Sequence, residues 1–184
     1  FRVKIRHDPS RLGKMHRINQ AFSESKADIV IILDADITLS SKNTLQYLLN
    51  PFVKDKSIGY TSGKLSPQKP HSFVQKIAYF GVSVWEIAKK SAHPIYQSEG
   101  ALRAFSKSLY HLLRFPNTSA DDIYPYFISK RHGLKFIDCP KAVAFYHLPS
   151  NFSDYIKQQL RYHQSENIHL DNFGKSEVNT YLDI

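Results

Sequence analysis

Apolar positions along this chain recur with two different periods, and the changes of period mark out its elements. Phe1 to Arg6 alternates apolar and basic residues, as a short strand does. His7-Asp8-Pro9-Ser10 reads as a turn. Met15, Ile18, Ala21 and Phe22 share one helical face and predict a helix over 12–25. Ile29-Val30-Ile31-Ile32-Leu33 has no polar interruption, the pattern of a central strand buried on both faces of a parallel sheet. It stops at Asp34-Ala35-Asp36. Ser40 and Ser41 can cap a helix over 43–49, ended by Pro51. A strand is expected within 57–66. Residues 72–91 predict the longest helix, apolar around Val74, Ile77, Ala78, Val84, Trp85 and Ala88. An irregular segment and a strand follow over 97–105, then a short helix over 107–113. A further helix over 123–131 has Pro125 in its first turn and Gly133 as its stop. Strands at 134–137 and 142–146 are separated by Cys139-Pro140. An amphipathic helix starts at Asn151 or Ser153 and runs to about Ser165, with Phe152, Tyr155, Ile156 and Leu160 on one side. The tail over 166–184 is polar and irregular. Strands and helices in alternation predict an α/β fold.

Composition narrows this picture. The 184 residues suffice for one domain with a real core, and 42% hydrophobic content excludes an intrinsically disordered chain. The single Cys139 excludes a disulfide framework or a Cys-based zinc cluster and reads as a buried thiol in a reducing compartment. With 7 Gly, and neither GxGxxG nor GxxxxGK[ST], a Gly-rich phosphate loop is excluded. The longest apolar candidate, 77–88, is too short to span a membrane and contains Glu86. The chain opens on Phe1 without a signal-peptide pattern, so the natural N-terminus is expected further upstream. The net charge of +9 suits an anionic partner: nucleic acid, an anionic lipid surface or a phosphorylated substrate.

Four places could carry chemistry. Asp34 and Asp36 follow a strand end, where ligands bind in α/β sheets. In an extended segment residues two apart point the same way, so both carboxylates can meet one hard cation, Mg²⁺ or Mn²⁺. A polar turn with a capping Asp is the plainer alternative. Asp121 and Asp122 precede a helix. They can be a general base with a charged neighbour, or simply an acidic helix start. Gln158, Arg161 and Tyr162 share a helix face, where Arg suits phosphate oxygens and the aromatic suits stacking, or the face is merely solvated. Lys14 sits after Gly13 at a helix entry, within reach of phosphates, as many solvated lysines also are.

The order of these features is more telling than any one of them. Gly13-Lys14 with Asn19, a buried strand ending in Asp34-x-Asp36, then Asp121-Asp122, then Gln158-x-x-Arg161-Tyr162 resembles the GT-A glycosyltransferases of family 2. The second half is similar to the branch containing the cellulose and hyaluronan synthases. The resemblance spans about Lys4 to Ser165, which makes 1–165 a partial GT-A catalytic domain and 166–184 a tail. It implies a GT-A-type sheet flanked by helices and lacking the first strands and helix that hold the nucleotide base. It gives Asp34 and Asp36 the metal that bridges the donor diphosphate, Asp36 more directly. It gives Asp122, with Asp121 beside it, the place of the catalytic base, and Gly133 closes the next helix eleven residues on, as in the family. Lys14, Gln158, Arg161 and Tyr162 fall among donor-binding positions, and Gly100 and Ala101 on the strand that lines the acceptor pocket. Ala120 and Asp121 stand where the family has Thr and Glu, and Tyr162 where it has Trp.

The expectation is therefore metal-dependent, inverting transfer of a sugar from a nucleotide diphosphate sugar to a saccharide or lipid-linked acceptor. The expected place is the cytoplasm, with the last helix able to rest on the anionic inner face of the membrane. Two alternatives stand beside it. One is a sugar nucleotidyltransferase, and the other a non-catalytic basic module for anionic surfaces. Nucleic acid is not an expected partner, because Lys and Arg are spread along the chain without a nucleic-acid motif.

Overall fold

The computed structural model describes residues 3, 5–7, 10, 12–116 and 122–161. Its elements in chain order are α1 (Lys14–Glu24), β1 (Ile29–Leu33), β2 (Ile37–Leu39), α2 (Thr44–Lys54), β3 (Ile58–Pro67), α3 (Phe73–Ala88), β4 (Leu102–Ser106), α4 (Lys107–Tyr110), α5 (Tyr124–Arg131) and β5 (Lys135–Tyr146). Two 3-10 turns, Lys89–Ser91 and Pro94–Gln97, link α3 to β4. A last helix, α6, occupies 152–161. The mixed α/β architecture expected from the sequence is present.

The five strands form one sheet in the order β1-β4-β3-β5-β2. Only β3 and β5 run parallel; β1/β4, β3/β4 and β2/β5 are antiparallel. Cores lie on both faces. One is aromatic and gathers Met15, Ile18 and Phe22 of α1 with Tyr60, Phe105, Tyr110 and Phe127. The other sets Leu48 and Phe52 of α2 against Ile58, Leu102, Ala104 and Ala144. The pleat of β4 explains the division, since alternate residues face opposite ways: Leu102 and Ala104 join the second core and Phe105 the first.

Several expectations need correction. The apolar run of β1 has no parallel partner among the described residues. Among the described residues it is a sheet edge, antiparallel to β4 on one side, and its residues are half-buried or exposed. An uninterrupted apolar run reports burial on two faces but not which neighbours a strand has. Val3, Ile5 and Arg6 lie outside any strand. The short β2, at the opposite edge from β1, lies where the sequence pattern predicts no element. Pro51 lies inside α2 rather than beyond it. Its missing N–H costs one helical bond, yet the helix continues, and the Asp55 N–H reaches the Pro51 carbonyl at 3.1 Å. The two strands expected around Cys139-Pro140 are one strand, β5. Its pairing with β3 jumps from Gly63↔Cys139 to Lys64↔Val143, so Pro140 falls in a bulge where the ladder needs no N–H from it.

Candidate functional site

The site is assembled around the four residues, 98–101, that lead into β4. On one side is the crossing between β1 and β2. The N–H of Asp34 donates to the carbonyl of Ala101 at 3.0 Å, which extends the β1/β4 ladder by one bond and seats Asp34 beside the start of β4. Its carboxylate meets the Lys14 ammonium, 2.8 Å from Oδ1 and 3.1 Å from Oδ2. Lys14 is the first residue of α1 and is aimed by Gly13, whose φ of 84° lies in the left-handed region. Asp36 follows two residues later and is exposed.

On the other side is Asp122. Ser98 Oγ donates to the Asp122 carbonyl at 2.7 Å and shares a 2.9 Å hydrogen bond with the Tyr60 hydroxyl. Tyr60 is fully buried, stacked on Phe136 at 4.7 Å, and burial pushes its phenol pKa well up, so the hydroxyl stays neutral. The Asp122 carboxylate abuts Gly100 through Oδ1: a Cβ there would stand 1.8 Å from that oxygen. Glycine at 100 is thus a matter of space. Asn19 holds Phe115 to α1: its side chain donates to the Phe115 carbonyl and accepts its N–H, both at 2.8 Å.

The candidates Lys14, Asp34, Gly100, Ala101 and Asp122 therefore come together through shared contacts on one strand lead-in. Gln158 and Arg161 lie on α6. They line a different cleft of about 390 Å³ with His147, Leu148, Pro149, Asp154 and Lys157. Lys14 and Asp34 line a second one, of about 390 Å³, with Arg17, Ile18 and Ile32. Asp121 and Tyr162 lie outside the described residues. Sequence reading missed Ser98, Tyr60 and a buried charged group, Glu99 with Lys89. A polar pair, Ser98-Glu99, directly before a Gly and an apolar strand was the available signal. Among the described residues no group of three or more His, Cys, Asp or Glu is arranged to hold a metal ion.

A family model described as "Glycosyltransferase like family 2" matches residues 2–165. The chain belongs to that family. Solved glycosyltransferases share the fold of this family 2 chain. It is similar to the mannosyltransferase PcManGT of Pyrobaculum calidifontis, solved with GDP-Man and Mn²⁺, at 25% identity and a TM-score of 0.65, over 90% of this chain and 44% of that one. Glucosyl-3-phosphoglycerate synthase of Mycobacterium tuberculosis, solved with Mn²⁺, UDP-glucose and phosphoglyceric acid, has the same fold at 15% identity and a TM-score of 0.55, over 96% of this chain and 57% of that one. The family 2 chain thus spans about half the length of the structures it matches. No curated protein sequence matches it.

Proposed function

We propose that the whole protein transfers a glycosyl group from a nucleoside diphosphate sugar to an acceptor hydroxyl, in one displacement with inversion. The observation that supports this reading best is the shared lead-in to β4. The Asp34 N–H bonds to Ala101, and the Asp122 carboxylate rests on the adjacent Gly100, so one metal-ligand candidate and the base candidate are neighbours on one lead-in. The two solved relatives bound to nucleotide sugars and Mn²⁺ support the donor class.

The residues present fit a Mg²⁺ or Mn²⁺ ion. Asp34 and Asp36 offer hard carboxylate oxygens two residues apart, Asp34 already drawing the Lys14 ammonium, and such ions take their remaining ligands from water and substrate phosphate. Asp34 and Asp36 would hold the ion, which supplies Lewis-acid neutralisation of a departing diphosphate. Lys14 stands beside Asp34 as a further positive charge for the donor phosphates. Gln158, Arg161 and Tyr162 take the donor-binding roles that the family pattern gives them, with the Arg161 guanidinium stabilising charge that grows as the phosphate leaves. Asp122 accepts the acceptor hydroxyl proton while that oxygen bonds to the anomeric carbon and the bond to the diphosphate breaks. The products are the glycosylated acceptor and a nucleoside diphosphate. In this reading Gly100 and Ala101 border the acceptor's place, with Gly100 giving its side-chain space to the Asp122 carboxylate.

The acceptor is a saccharide or lipid-linked hydroxyl at a membrane surface, as in the polysaccharide synthase branch. The observation favouring the surface is α6: Phe152, Ile156 and Leu160 recur every fourth residue and are each more than half exposed, with Lys157 and Arg161 beside them. Among the described residues no helix is long and apolar enough to cross a membrane.

Asp36→Ala and Asp122→Asn in the full-length protein are each expected to lower turnover by at least about tenfold. The assay follows release of nucleoside diphosphate from a panel of nucleotide sugars. Unchanged release in both variants, or release of pyrophosphate instead, would overturn the proposal.

A further inference from the structure

Behind the lead-in to β4 lies a charged group that the transfer chemistry does not use. The Lys89 side chain is 5% exposed, and its ammonium bridges the carboxylates of Glu86 and Glu99. Glu86 also faces Lys64 at 3.5 Å. The second oxygen of Glu99 accepts the N–H of Leu65 on β3. The backbone of Glu99 is held as well: its N–H donates to Ser62 Oγ, and Ser62 Oγ donates to its carbonyl, both at 2.9 Å. From the helix side, the Gln97 amide donates to the Lys89 carbonyl at 3.0 Å.

Burial raises the Glu99 pKa, against the pull of Lys89. Burial also lowers that of Lys89, but its bonds to the two glutamates outweigh this and leave a net rise. Asp138 adds a third carboxylate nearby, raised chiefly by burial. A buried ion pair of this kind is poor value for stability alone, because an apolar pair of the same size would do as well or better. What distinguishes this one is its place. Ser98, on one side of Glu99, carries the Asp122 backbone; Gly100, on the other, carries its carboxylate.

We propose that Lys89 and Glu99 are positioning residues for the transfer site: their buried pair locks 98–101 against β3 and thereby sets where the Asp122 carboxylate stands relative to the acceptor. This rests on the reading of Asp122 as the base. Neither residue touches substrate. Their effect is geometric, and a misplacement of about 1 Å at a reacting group can cost on the order of a hundredfold in rate.

The test uses the full-length protein and three variants: Lys89→Met, Glu99→Gln and the double Lys89→Met/Glu99→Gln. Each single variant is expected to lower kcat by about tenfold or more while the KM for the donor stays within about threefold. Hydrogen exchange at the Glu99, Gly100 and Ala101 amides is expected to speed by at least about tenfold, with α2 unchanged. The double variant leaves no unpaired charge from this pair, since Glu86 keeps Lys64, so it is expected to regain thermal stability and still show the low kcat. Recovery of kcat together with stability would make the pair merely structural and overturn the inference, as would unchanged exchange at 99–101. If a single variant does not fold, the double variant carries the same readings. If the unaltered protein transfers from no nucleotide sugar, the glycosyltransferase reading fails, and the exchange measurement still decides whether Lys89 and Glu99 hold 98–101.

Discussion

At Gly100 a single missing carbon decides what the neighbouring acid can do. A methyl group there would lie 1.8 Å from Asp122 Oδ1, so Gly100→Ala must push the carboxylate away. The expected outcome is a kcat lowered by about tenfold or more with the donor KM little changed, read by steady-state kinetics. Equal kcat would show that Asp122 has room to spare. Cys139 makes a second prediction at this scale. Burial pushes its thiol up to about 11, from an ordinary value of 9.0. At pH 8 its thiolate fraction is therefore lower by on the order of a hundredfold than that of a free cysteine, and labelling by a thiol reagent should be correspondingly slow. The sign for stability follows. The folded state keeps the proton longer than the unfolded one, so this thiol has no effect below about pH 9 and costs stability as pH rises from there to about 11. Urea midpoints of the native protein should fall more steeply over that range than those of Cys139→Ala.

At the scale of elements, local signals were legible and pairings were not. The helix α1 was readable because Met15, Ile18 and Phe22 recur at helical spacing, and those three are its buried residues. The start of α3 carries a capping box, with Ser72 and Gln75 bonding reciprocally to each other's backbone, a device written in four consecutive residues. Ser72→Ala should cost about 1 kcal/mol in denaturant unfolding. The apolar face of α3 is only partly covered: Val84 and Trp85 are about half exposed, and only Val74 and Ala78 are buried along the helix. Periodicity finds an apolar face but not whether anything covers it. Strand β2, the continuity of β5 and the edge position of β1 all depend on partners tens of residues away, which no local window contains. Gly63 marks the β3/β5 bulge, where a Cβ would lie 2.5 Å from the Ala142 carbonyl oxygen and 2.4 Å from Leu102 Cδ2. Backbone cannot yield as a side chain does, so Gly63→Ala is expected to destabilise by about 1 to 3 kcal/mol, measured as a lowered urea midpoint.

Over the whole molecule, charge and sheet topology decide where the chemistry can sit. A net charge of +9 raises the local concentration of an anionic donor, and the effect is screened by salt. The donor KM should rise by on the order of threefold between low and high ionic strength, with kcat little changed, because long-range attraction governs encounter rather than the chemical step. By itself the sequence determined the α/β class, most helices, the acid pair after an apolar strand and the family pattern, because each is carried by neighbours in the chain or by the order of short motifs. Only the tertiary structure decided that Asp34 bonds to Ala101, that Asp122 lies on Gly100, and that Lys89 and Glu99 pair out of water behind both. Those contacts join residues separated by turns and whole strands. Which of them form depends on the register of the sheet, and register is set by packing on both faces at once rather than by any segment alone.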